Sequence, residues 1–148
     1  MLFRSAAVLA ALRDSLAEQG FLEVTVPVLV DGPALEETLE ALRADDGWLH
    51  TSPEFALKRV LAAGLPRIYS IVPCFRGEEW GRNHAREFTM LELYFCNARH
   101  LDLLPVVEDL VRAAAEAIGV PAPTWSVRTV AELFGGPMPE DEIGRAHV

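Results

Sequence analysis

The 148-residue chain has little cysteine, no run of basic residues and no long uncharged apolar stretch. Its two cysteines, Cys74 and Cys96, lie 22 residues apart with no C-x-x-C and no companion His pair. That pattern indicates neither a disulfide framework nor a zinc site, and it fits a reducing, cytoplasmic compartment. Arg13 and Asp14 interrupt the apolar start too early for a secretory signal, and no segment is apolar for long enough to span a membrane. Lys and Arg number 13 against 22 Asp and Glu, a formal charge of −9. Affinity for nucleic acid rests largely on clustered Lys and Arg that neutralise phosphates, so a polynucleotide partner is disfavoured. What the chain does have is apolar residues, 51% of the total, at a length that suits one domain with a real core.

Periodicity gives the elements. Leu2, Leu9, Leu12 and Leu16 recur at helical spacing over residues 2–19, and Gly20 stops that helix. Leu22 to Val26 alternates like a strand, and Pro27 ends its pairing. Residues 31–47 are acidic, with Leu35, Leu39 and Leu42 pointing to a helix with a solvated face; Trp48-Leu49-His50 reads as a short strand. In Thr51-Ser52-Pro53-Glu54, Ser52 can cap a helix, Pro53 fits its first position and Glu54 favours the positive end of its dipole. This helix runs to about Ala63, before Gly64. Ile68 to Phe75 is an apolar strand despite Pro73. Pro105 and Gly119 bracket a further helix, Trp125 to Val127 reads as a last strand, and Thr129 to Glu132 has capping-box spacing. Helices and antiparallel-looking strands mix without βαβ alternation, so the expected class is α+β, an antiparallel sheet flanked by helices.

The most informative stretch is Phe75-Arg76-Gly77-Glu78, followed by His84-Ala85-Arg86-Glu87-Phe88-Thr89-Met90-Leu91-Glu92-Leu93-Tyr94. It reads as two strands joined by a charged loop. Strand parity puts Arg76 with Glu78 on one face, and Phe88, Met90, Glu92 and Tyr94 on one face of the second strand. Thr89, Leu91, Leu93 and Phe95 point the other way, as a plain core face. The polar face suits an anionic group, a planar ring and a cation together. Glu92 stands between Leu91 and Leu93, where a carboxylate is costly unless paired.

These residues resemble the class II aminoacyl-tRNA synthetase catalytic domains, in the lysyl branch, and most closely the stand-alone paralogues that lysylate elongation factor P. Gly20 to Pro27 after the leading helix is similar to motif 1, whose proline ends a strand at a dimer interface. Thr51 to Glu54 with Lys58-Arg59 is similar to the substrate loop and helix before motif 2, and Phe75 through Tyr94 is similar to motif 2 itself. Ala85-Arg86 departs from the usual Asn-Pro of the lysyl branch, which removes an amide contact and adds a cation for a phosphate. Motif 3 is expected after Pro139 and does not follow, so residues 1–141 read as a partial catalytic domain, expected to be inactive alone. Glu142 to Val148 continues no periodicity and looks like a translated sequencing adapter, hence a non-native tail. The same seven residues in an intact genomic copy would sink that reading.

The resemblance implies ATP-dependent activation of lysine or β-lysine as an aminoacyl adenylate, then transfer to a lysine of elongation factor P. Arg76 would clamp the α-phosphate and the substrate carboxylate, since a guanidinium matches oxyanions in a planar fork. Pairing with Glu78 or Glu79 is its plainer role. Glu78 would accept from the adenine amino group, Phe88 would stack on adenine, and His84 would reach the terminal phosphates. Glu54 would hold the α- or β-ammonium, while Glu92 and Tyr94 would hold the side-chain amine. Core packing for Phe88, solvent exposure for His84 and a structural ion pair for Glu92 are the alternatives. Magnesium is expected, with its ligands in the part that does not follow Pro139. A start at the motif 1 helix leaves no room for an anticodon-binding domain, and the acidic charge makes tRNA the lesser partner. A homodimer is implied by motif 1. Lysyl-tRNA synthetase and a non-catalytic paralogue remain the other two readings.

Overall fold

The computed structural model describes residues 2–32, 34, 39–77, 81–82 and 84–135. Helix α1 spans Leu2–Glu18 and ends as expected at Gly20, whose φ of +76° is a conformation glycine reaches without strain. Strand β1 is only Leu22–Glu23, and it pairs in parallel with β5, Arg67–Phe75. The alternation to Val26 thus overstates the strand, although the Val24 N–H still donates to the Tyr69 carbonyl at 2.8 Å. Pairing with β5 thus ends at Val24, three residues before Pro27, so the proline is not what ends it. Strand β6, Glu87–Phe95, runs antiparallel to β5 over nine residues, from Arg67 opposite Phe95 to Phe75 opposite Glu87. The sheet order is β1-β5-β6.

A second small sheet, β2-β4-β3, is formed by Leu29–Val30, Gly47–Leu49 and Arg43–Ala44. It overturns the helix expected over 31–47, as far as the described residues go. Leu42 accepts a backbone bond from Leu49, and the chain reverses at Asp45 with φ of +55°. The leucine spacing there was too sparse to outweigh two acidic turn residues and Gly47.

Both faces of the long pair are used. On one side Leu16, Phe21, Tyr69, Val106 and Leu110 form a core beneath α1 and α3, His100–Ala117, joined by Leu91, Leu93 and Phe95. On the other, Val26, Leu57, Ile68, Val72 and Cys74 pack with Phe88, Met90 and Tyr94 against α2, Glu54–Ala62. The parity expected for β6 therefore holds residue by residue. Pro73 is tolerated because odd-numbered residues of β5 turn their backbone groups away from β6, beyond the end of β1. There the Pro73 carbonyl meets His50 Nε2 at 2.8 Å, and the Phe75 N–H donates to the His50 carbonyl at 3.1 Å. Helix α3 begins five residues before Pro105, and a short α4, Val130–Phe134, has the expected Thr129–Glu132 capping box. Trp125 to Val127 is not a strand; among the described residues no neighbour pairs with it, and Val127 is 72% exposed. Among the described residues no helix is long and apolar enough to cross a membrane. The tail from Glu142 lies outside the described residues.

Candidate active site

The polar face is built by three segments: the end of β5, the whole of β6, and the 50–54 turn leading into α2. Register sets Ser70 opposite Glu92, Ile68 opposite Tyr94 and Cys74 opposite Phe88, all on one face. Phe88 and Glu92 are four positions apart, so the aromatic ring and the carboxylate lie roughly 13 Å apart along one strand.

Glu92 is held at both oxygens. Ser52 Oγ donates to Oε2 at 2.6 Å and the Tyr94 hydroxyl donates to Oε1 at 2.7 Å. Both partners are neutral, so the hydrogen bonds fix the carboxylate without cancelling its charge. Burial raises the Tyr94 phenol far above its ordinary value; its bond to Glu92 and the charges of Glu92 and then Glu54 push it the same way. It therefore stays a donor at any ordinary pH. Glu54 itself is half-buried at the start of α2 and forms an i,i+4 ion pair with Lys58. A substrate ammonium there would compete with Lys58.

Arg76 follows directly on β5, and its N–H donates to the Arg86 carbonyl at 2.9 Å, extending the ladder into the loop. Its guanidinium lies 5.0 Å from the Phe88 ring centroid, a cation–π contact. Phe88 is thus half-buried, packed into the core beneath α2 and covered on part of its surface by a cation. Cys74, fully buried next to this pair, has its thiol pushed up to about 11 by burial, with Arg76 opposing and Glu92 adding to the shift. It is inert as a nucleophile. His84 sits exposed in the loop, where its N–H donates to Gly81 O at 3.2 Å. Glu78 lies outside the described residues.

Of the predicted residues, Tyr94 is bonded to Glu92, the Glu54 N–H is linked to Glu92 through the Ser52 hydroxyl, and Arg76 and Phe88 form a second pair farther along the strand. His84 is on the connecting loop. Sequence reasoning missed three participants. Ser52 was read only as a cap; its Oγ does accept the Glu54 N–H at 3.1 Å, but it also reaches Glu92, 40 residues away in sequence. His50, 4% exposed, holds the outer edge of β5 just before Arg76. Glu40 accepts the Gly77 N–H at 2.7 Å through its carbonyl and packs its side chain on that glycine. None of these cross-chain contacts leaves a periodic signal; the Thr-Ser-Pro-Glu string was the only clue. An adjoining cleft of about 650 Å³, lined by Pro27, His50, Thr51, Ser52, Phe55 and Arg59 among others, holds none of the residues predicted for ligand contact.

A leading helix, a parallel edge strand running into proline, and a long antiparallel pair entered through Phe-Arg and left through Glu92 together define a class II synthetase-type catalytic fold. The family model for tRNA synthetases class II (D, K and N) matches residues 1–133, and the chain belongs to that family. Among curated proteins it is 34% identical to an elongation factor P–(R)-beta-lysine ligase homolog of Aquifex aeolicus, over 88% of this chain and 47% of that protein. It is 37% identical to the elongation factor P–(R)-beta-lysine ligase of Erwinia tasmaniensis (84% of this chain, 41% of that one) and 38% identical to that of Yersinia enterocolitica (75% and 37%). The chain thus spans less than half the length of each of these relatives. Among solved structures, the asparaginyl-tRNA synthetase of Pyrococcus horikoshii complexed with asparaginyl-adenylate is similar, with a TM-score of 0.64 and 28% identity, over 76% of this chain and 28% of that one.

Proposed function

We propose that this chain forms the ATP- and lysine-binding part of a ligase that activates lysine or β-lysine as an adenylate and transfers it to a lysine of elongation factor P. The observation that carries the reading is Glu92. It is a half-buried carboxylate oriented by two neutral hydroxyls, which leaves its charge for a cation supplied from outside.

The chemistry follows from the groups available. In the first step the substrate carboxylate attacks the α-phosphorus of ATP, a new P–O bond forms and pyrophosphate leaves. The nucleophile is already ionised, so positioning and charge neutralisation must do the work. Arg76 would neutralise the α-phosphate and the attacking carboxylate. Phe88 would stack on adenine, Glu78 would accept from the adenine amino group, and His84 on the loop would meet the terminal phosphates. Glu54 takes the α- or β-ammonium; Glu92 and Tyr94 take the side-chain ammonium. In the second step the acceptor amine attacks the adenylate carbonyl, an amide forms and AMP leaves. Magnesium bound to the phosphates would supply further charge neutralisation. No group of three or more His, Cys, Asp or Glu among the described residues is arranged to hold a metal, so no residue is assigned to it.

The net charge of −9 speaks for a protein acceptor over tRNA. We place the protein in the cytoplasm and, with Pro27 at a subunit interface, as a homodimer. The test is ATP–pyrophosphate exchange by the complete gene product that carries this chain, with lysine and β-lysine, followed by transfer to elongation factor P or tRNA. Exchange with either amino acid and transfer to the protein acceptor is the expected result. No exchange sinks the ligase reading, and transfer to tRNA alone makes the protein a lysyl-tRNA synthetase.

A further inference from the structure

The Ser52 hydroxyl joins two groups that the ligase reading places at opposite ends of one substrate. Its oxygen accepts the Glu54 N–H at 3.1 Å and donates to Glu92 Oε2 at 2.6 Å. The directions are forced: a peptide N–H only donates and a carboxylate only accepts, so the single hydroxyl proton must point to Glu92. Glu92 is thereby referenced through its side chain, and Glu54 through its backbone, to one oxygen atom.

The surroundings keep that reference stiff. Pro53, fully buried, fixes the backbone between Ser52 and Glu54, and Thr51 on the other side is 1% exposed. Tyr94 holds the second oxygen of Glu92 at 2.7 Å, so the carboxylate cannot rotate to compensate for a lost partner. The bond to Glu92 is short and charge-assisted, the kind that resists stretching.

We propose that Ser52 is a specificity-determining positioning residue. Resting on the ligase reading above, it sets the spacing between the two ammonium sites and hence the length of diamino acid that the site accepts. A serine that served only to satisfy the Glu54 N–H would affect stability and every substrate alike. One that also orients Glu92 changes the ranking of substrates by the separation of their amino groups.

The experiment is ATP–pyrophosphate exchange by the complete gene product, comparing wild type, Ser52→Ala and Ser52→Thr with lysine, β-lysine and the shorter ornithine. Ser52→Ala is expected to raise KM for the preferred diamino acid about tenfold, the worth of one modest hydrogen bond to a charged group. KM for ATP should stay within about twofold, and the preference over ornithine should narrow by about tenfold. Ser52→Thr keeps the hydroxyl and should restore the ranking. If Ser52→Ala does not fold, Ser52→Cys, with a longer and weaker donor, must shift the ranking in the same direction. An unchanged ranking in whichever of these two variants folds, or an equal loss for all substrates and ATP, overturns the inference. A wild type that exchanges with neither lysine nor β-lysine removes the ligase reading itself; an active wild type with an unaltered ranking in the variants removes only the role of Ser52.

Discussion

Replacing Glu92 by Gln tests the centre of the site because the structure fixes what the change removes. Gln keeps the size and one carbonyl oxygen, and the Ser52 and Tyr94 hydroxyls that now hold the carboxylate at 2.6 and 2.7 Å can still bond to the amide. What disappears is one negative charge. For an ammonium about 3 Å away at an effective dielectric of 20, the gross attraction is roughly 5 kcal/mol. Glu92 is half-buried, so desolvation and solvent screening leave the net worth of a charged hydrogen bond, about 1.5–3 kcal/mol. Lysine affinity of the complete gene product, measured by calorimetry, should therefore fall roughly 10- to 100-fold, with ATP affinity unchanged. Stability gives an independent check. Among the described residues Glu92 is held by hydroxyls alone, so Glu92→Gln should leave the melting temperature nearly unchanged. Losing one partner of a structural ion pair would instead cost about 3–5 kcal/mol. Unchanged lysine affinity combined with a lowered melting temperature would refute the reasoning and make Glu92 a structural residue.

Three further outcomes follow from the fold. Leu57 is fully buried where α2 meets β5, so Leu57→Ala should cost about 2–5 kcal/mol in denaturant unfolding, and a loss below that range would mean α2 is not docked as described. A Cβ on Gly77 would lie 2.6 Å from Glu40 Oε2; Gly77→Ala should cost about 1 kcal/mol, relieved when Glu40→Ala is added, and an equal cost in both backgrounds would refute the contact. Burial, then the hydrogen bond to Glu23, pushes the Tyr69 phenol up to about 12 from an ordinary 10.0. A raised folded-state value means the stabilisation is complete below pH 10 and lost as pH rises towards 12, by roughly 2–3 kcal/mol at about 1.4 per unit. Tyr94 contributes in the same direction, so Tyr69→Phe should shallow the alkaline limb rather than abolish it, and an unaltered limb would refute the assignment.

The sheet face was legible because a strand's period is two and the residues of β6 differ sharply by parity. Leu91, Leu93 and Phe95 against Phe88, Met90, Glu92 and Tyr94 admit only one partition, and the packing follows it. Caps and stops were legible for the same local reason: Gly20, Gly64 and Gly119 all adopt positive φ, and Thr129 with Glu132 forms its box. Where the reading failed, the deciding interaction was not local. Leu35, Leu39 and Leu42 suggested a helix, yet Leu42 is claimed by Leu49 across a turn and Arg43–Ala44 joins a sheet. Trp125 to Val127 has strand composition but no partner strand among the described residues.

The same distinction governs the site. Periodicity could say that Glu92 faces the side of Arg76 and Phe88, and the cost of a carboxylate among leucines could say that it needs a partner. Neither could say which partner. The answer depends on α2 lying over β5 and β6, which brings Ser52 to Glu92 across 40 residues. That partner's identity changes the meaning of the carboxylate. An arginine at 2.6 Å would have made Glu92 a structural ion pair; a serine hydroxyl at that distance orients the charge without neutralising it. The proposal that Glu92 meets a ligand cation thus rests less on its position than on the neutrality of the two hydroxyls that hold it.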